Sequence, residues 1–105
     1  MSSFKHLSPQ TAVELLEQGA TLVDIRDFQS YSNAHIPASV HLNNDNLPQF
    51  LEQANRNQPL IVCCYHGISS QSAADYLVGQ GFSDVYSLDG GFEGWKQLFP
   101  DACES

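Results

Sequence analysis

The sequence predicts an α/β domain built on a mostly parallel sheet, and three observations carry that reading. Short apolar strands alternate with helical stripes along the chain. One strand, LIVCC (60–64), is apolar on both alternating faces, as a strand covered by helices on both sides must be. The chain has 105 residues, 42% of them hydrophobic and 15% charged, enough for one packed core and too few for two.

The elements follow in order. Ser8 suits an N-cap and Pro9 the first helical position. Ala12, Val13, Leu15 and Leu16 then form an apolar stripe that Gly19 closes. TLVDI (21–25) is a short buried strand, ended by Arg26 and Asp27. FQSYSNAH is a short helix or turn that Pro37 terminates, and SVHL (39–42) is a further strand. Residues 43–46 offer several caps for a helix whose face carries Leu47, Phe50, Leu51 and Ala54. After a turn over 55–59 comes LIVCC. A helix starting at Ser69 or Ser70 presents Ala73, Ala74, Leu77 and Val78, and Gly81 ends it. DVYSL (84–88) is the last strand read from the pattern, and GGFEGWKQLF is a turn with a final short helix.

Charge and cysteine usage bound the function. The formal net charge is −8, with only Lys5, Arg26, Arg56 and Lys96 basic. Nucleic acid requires a field of Lys and Arg, so it is not an expected partner, and neither is an acidic membrane surface. No apolar run approaches the ~20 residues of a membrane span, and the N-terminal residues lack a signal-peptide pattern. Three cysteines, two of them adjacent, argue against a disulfide framework and for a reducing, cytoplasmic location.

The chemistry concentrates at CCYHGISS (63–70). In an open parallel sheet, ligands bind beyond the carboxyl ends of the strands, which is where Cys64 falls. The following residues, Tyr65 to Ser70, lead into a helix N-terminus, whose N–H groups and dipole favour an anion. Such a setting lowers a thiol pKa and seats an anionic substrate beside it. Gly67 permits a tight loop, Ser69 and Ser70 supply caps and hydroxyl donors, and a protonated His66 would add charge. Salt screens the overall −8 beyond ~8 Å, so local donors decide binding.

At this point the chain resembles the rhodanese family. Cys64-Tyr65-His66-Gly67-Ile68-Ser69-Ser70 is similar to that family's active loop. Val23-Asp24-Ile25-Arg26, Tyr31 and Ala34-His35-Ile36-Pro37-Ala38 resemble its first signature, and Asp89-Gly90-Gly91-Phe92 through Trp95 its closing one. Within the family, the length and the loop look most like the single-domain thiosulfate sulfurtransferases. One departure is Ala38, where the family usually has Gly.

The resemblance implies one rhodanese domain over residues 1–105, with five strands in a mostly parallel sheet and helices on both faces. It implies that Cys64 thiolate takes the outer sulfur of thiosulfate, releases sulfite and holds a persulfide. Cyanide, or a thiol or dithiol protein, then accepts that sulfur. Loop residues Tyr65, His66, Gly67, Ile68, Ser69 and Ser70 would bind the substrate, with Asp24 and Arg26 bracing the loop as an ion pair. No metal or organic cofactor is needed; the persulfide is the intermediate.

Other readings weigh differently. A strand cysteine on its own is usually packing, and that reading suits Cys63, on the face opposite Cys64. Cys103 in the polar tail reads as an incidental exposed thiol, His35 as structural and Trp95 as core. Cys63, Cys64 and His66 match no standard metal spacing. Phosphatases and arsenate reductases on this type of fold use Cys-x5-Arg, but the sixth residue after Cys64 is Ser70 and no Arg follows it. Two alternatives keep the same loop: a persulfide carrier fed by another enzyme, and a non-catalytic binding module.

Overall fold

Residues 3–105 are described in a computed structural model of the chain. Five strands and five helices alternate: β1 (Lys5–Leu7), α1 (Pro9–Glu17), β2 (Thr21–Asp24), α2 (Phe28–Asn33), β3 (Val40–His41), α3 (Leu47–Gln53), β4 (Leu60–Cys63), α4 (Ser69–Gly79), β5 (Val85–Leu88) and α5 (Gly91–Leu98). The strands form one sheet in the order β1-β5-β4-β2-β3, and every pairing is parallel. β4 lies at the centre, in register with β2 (Asp24 beside Cys63) and with β5 (Val62 beside Ser87).

The pleat of β4 divides the core in two. Ile61 and Cys63 face α1 and α5, where they pack with Ala12, Leu22, Leu88, Phe92 and Trp95. Leu60 and Val62 face the opposite way, toward Phe50, Ala74, Leu77 and Phe82 from α3, α4 and the loop after α4. All four residues of β4 are buried, which explains its unbroken apolar run. Full burial of a Leu or Ile here is worth about 1.5–3 kcal/mol.

Several boundaries differ from the sequence expectation. β2 and β4 each end one residue early, so Ile25 and Cys64 lie just beyond their strands, and β3 is only two residues long. Ser8 caps α1 as expected, accepting from the Thr11 N–H. The α4 N-cap position is held by Ile68 instead of a serine, with no side-chain cap. The fifth strand, β1, shows no pattern in sequence because three residues with one buried side chain are too few to alternate visibly. Cys103 is half-buried against the α1–α5 core and its sulfur lies 3.6 Å from the Phe99 carbonyl, so it is not a free surface thiol.

Candidate active site

Cys64 leaves β4 on the α4 side of the sheet and is buried, with 1% exposure. The chain then wraps around its sulfur. The N–H of Gly67 and the N–H of Ser70 each donate to Sγ at 3.2 Å. Gly67 makes this possible: its φ is +85°, and a Cβ there would lie 2.8 Å from the backbone nitrogen of Gly90. Across the loop, Phe92 N–H donates to the Cys64 carbonyl at 2.8 Å, and Glu93 N–H to that of Tyr65 at 3.1 Å. This docking brings α5 so close that a Cβ on Gly91 would meet the Cys64 carbonyl oxygen at 2.6 Å.

The two adjacent thiols are driven apart electrostatically. Burial alone raises the Cys64 pKa. The Ser70 hydroxyl and the N–H groups of Ser70, Gly67 and His66 outweigh it, leaving the thiol below its ordinary value. Burial first, and then the charges of Asp24 and Cys64, push the Cys63 thiol well above that value, against a smaller lowering by Arg26. N–H groups converging on a sulfur from a loop and the first turn of a helix are the arrangement that stabilises a thiolate.

The remaining loop residues divide by direction. Tyr65, His66, Ile68 and Ser69 are exposed and form the mouth, with Ile68 at 74%. Ser70 is fully buried and its hydroxyl points inward to Ser87 Oγ at 2.8 Å, so it is not turned to an anion at the mouth. Tyr65 reaches across to α2: its hydroxyl accepts from the Asp27 N–H at 3.1 Å and donates to the Asp27 carboxylate. Asp27 also caps α2 through the Ser30 N–H. Beside this clasp lies a groove of about 630 Å³ lined by Ile25, Phe28, His41, Leu47, Tyr76 and Leu77 among others. Cys64 is not among its walls.

Asp24 and Arg26 stand on the α5 side. Arg26 Nε lies 3.0 and 3.1 Å from the two carboxylate oxygens, and Nη2 lies 2.8 Å from one of them. Nη2 also donates to the Ala34 carbonyl at 2.7 Å, and the guanidinium lies 4.2 Å over the Phe92 ring. Burial works against the Arg26 charge, but Asp24 more than restores it. Neither residue touches the Cys64 sulfur; their link to the loop runs through Phe92.

Sequence reasoning passed over Asp27 and Ser87. Asp27 carried a signal, an Asp three residues before Ser30 at a helix start. Ser87 carried a fainter one, a hydroxyl in place of an apolar residue on the α4 face of a buried strand. His35 has a structural place: its backbone pairs with Glu104, and its ring stacks on Tyr31 at 4.0 Å. Trp95 is core, with Nε1–H donated to the Ala102 carbonyl at 2.9 Å. Among the described residues, no cluster of His, Cys, Asp and Glu is arranged to hold a metal.

Comparison with known proteins shows the family to which the chain belongs. The family model for the rhodanese-like domain matches residues 8–98. A thiosulfate sulfurtransferase GlpE of Pseudomonas savastanoi is 58% identical over 101 residues, covering 96% of this chain and 95% of that one. The protein of the same name from Ectopseudomonas mendocina is 61% identical over 100 residues, covering 95% and 92%. Among solved structures, reduced Bacillus anthracis CoADR-RHD superposes with a TM-score of 0.83 at 22% identity, over 97% of this chain and 18% of that chain. A rhodanese-related protein of Thermoplasma volcanium gives 0.77 at 21%, over 90% and 93%. The two structures speak to the fold, and the sequence relatives carry the assignment: the chain belongs to the family of rhodanese-like domains.

Proposed function

We propose that the protein is a thiosulfate sulfurtransferase in which Cys64 carries the sulfur. The observation that supports this most directly is the convergence of the Gly67 and Ser70 N–H groups on the Cys64 sulfur at the end of the central strand. Relatives named thiosulfate sulfurtransferase GlpE, 58–61% identical over nearly the whole chain, support the choice of donor.

In the first half-reaction the Cys64 thiolate attacks the sulfane sulfur of thiosulfate. A new S–S bond forms, the sulfane sulfur–sulfonate bond breaks, and its electron pair leaves with sulfite. The enzyme then carries Cys64–S–S⁻, whose charge the loop N–H groups stabilise. In the second, cyanide or a thiolate attacks the outer sulfur, and the S–S pair returns to Cys64 as thiolate. Two half-reactions on one nucleophile give ping-pong kinetics. The cycle uses no metal or organic cofactor.

The mouth formed by Tyr65, His66, Ile68 and Ser69 admits the donor to a sulfur that is itself buried. Asp24 and Arg26 brace the loop from behind through Phe92. The acceptor is cyanide in an assay and a thiol or dithiol protein in a reducing cytoplasm; neither nucleic acid nor membrane is a partner.

The test is intact-protein mass spectrometry after incubation with thiosulfate, then with cyanide. The expected result is gain of one sulfur on Cys64 and its loss with release of thiocyanate. No gain of sulfur would overturn the proposal in favour of a carrier charged by another donor or of a binding module. The acid limb of kcat/KM for thiosulfate should titrate below the ~8.5 of an ordinary thiol, because only the thiolate attacks.

A further inference from the structure

One buried hydroxyl, that of Ser87, has no part in the sulfur-transfer steps. Ser87 and Ser70 are both fully buried, on β5 and α4, with their Oγ atoms 2.8 Å apart. A hydroxyl on a strand face that is otherwise core is costly unless it is bonded. Ser87 lies two residues beyond Val85 on that face, beside Val62 in register, and Val62 in turn precedes Cys64 by two. The pleat therefore turns Ser87 to the side of the sheet on which Ser70 of α4 meets Cys64.

Two hydroxyls hold two protons, and the bond between them uses one. Among the described residues Ser87 Oγ has no other hydrogen-bond partner, whereas Ser70 borders the Cys64 sulfur, to which its N–H donates at 3.2 Å. If Ser70 donated to Ser87, the leftover proton would sit on Ser87 with nothing to receive it. If Ser87 donates to Ser70, the leftover proton sits on Ser70, next to the sulfur. The second arrangement satisfies both groups, and it becomes more favourable as negative charge grows on the sulfur.

We propose that Ser87 is a positioning residue for Cys64: by donating to Ser70 from below, it leaves the Ser70 proton to point at the nucleophilic sulfur. The Ser70 hydroxyl thereby joins the N–H groups as a donor fixed before reaction. This rests on the reading that Cys64 is the nucleophile.

The charged groups nearby do not confuse the assignment. Cys63 and the Asp24–Arg26 pair lie on the opposite face of the sheet. The ionisable groups of α4, Asp75 and Tyr76, are exposed, and Tyr65 and His66 stand at the mouth of the loop.

The experiment follows the rate of Cys64 alkylation against pH in the full chain, read by mass spectrometry of the Cys64 peptide. It needs no sulfur donor, so a failure of the thiosulfate reaction and a failure of this proposal are separate results. Ser87→Ala should move the midpoint of the profile upward and slow alkylation several-fold near neutral pH. Ser70→Ala should move it at least as far, and the double variant no farther than Ser70→Ala alone, because Ser87 acts only through Ser70. Ser87→Thr should restore the wild-type profile, whereas Ser87→Val, alike in shape, should behave as Ser87→Ala. A wild-type profile for both Ser87→Ala and Ser87→Val, or additive shifts in the double variant, would overturn the proposal.

Discussion

Cys63 and Cys64 differ by one residue and by nearly everything a thiol responds to. One lies in an apolar core beside Asp24; the other receives two N–H groups. Cys63→Ser should therefore retain sulfur transfer and lose some stability through its core contacts, whereas Cys64→Ser should lose turnover with its unfolding transition intact. Turnover in Cys64→Ser comparable to wild type would refute the assignment. Ala38 is the second informative residue. Its φ of 66° lies in the left-handed region, the one such value outside glycine among the described residues. The family's usual Gly meets this need without a Cβ conflict, and Ala does not. Ala38→Gly should raise stability by about 1 kcal/mol, read as a higher urea midpoint at unchanged m-value.

The active loop is an element with two anchors. One is backbone: the Phe92 and Glu93 N–H groups hold the Cys64 and Tyr65 carbonyls against α5. The other is the Tyr65–Asp27 clasp to α2. Tyr65→Phe removes only the second, so it should lower kcat/KM for thiosulfate a few-fold, speed amide exchange in the loop and lower the thermal transition modestly at neutral pH. The clasp has a defined acid limit. The Tyr65 hydroxyl, and then Ser30, hold the Asp27 carboxyl well below the usual carboxylate range. A depressed folded-state pKa contributes stability that is fully present well above the unfolded value of ~3.9 and is lost as pH falls through the folded value. Wild type should therefore lose more stability than Tyr65→Phe when taken from neutral pH to strong acid, and equal losses would remove the clasp from the account.

At the scale of the whole molecule, the Asp24–Arg26 pair joins parts distant in sequence. It sits at the end of β2, and its guanidinium binds the Ala34 carbonyl after α2 and covers Phe92 at the start of α5. Asp24→Asn strands a buried guanidinium and should cost about 3–5 kcal/mol, a large share of the ~5–15 kcal/mol typical of a domain. A drop in urea midpoint is the expected measurement. A variant as stable as wild type would mean the pair contributes nothing net to the fold.

Most of the architecture was legible in the residues because burial writes itself into pattern. LIVCC had to be a central strand, and the Ala-Leu stripes had to be helices on its faces. The placement of the loop was legible too: Cys64 follows the central strand and α4 begins at Ser69. What sequence left open was set by contacts between residues far apart. Three residues of β1 become a strand only because β5 offers an edge to pair with. Cys103 is covered because the tail folds back over α5. Ser70, expected at the anion, turns inward because Ser87 on a neighbouring strand is there to meet it. Local sequence determines which way a side chain leaves its own element; only the packing of one element on another decides what it finds there.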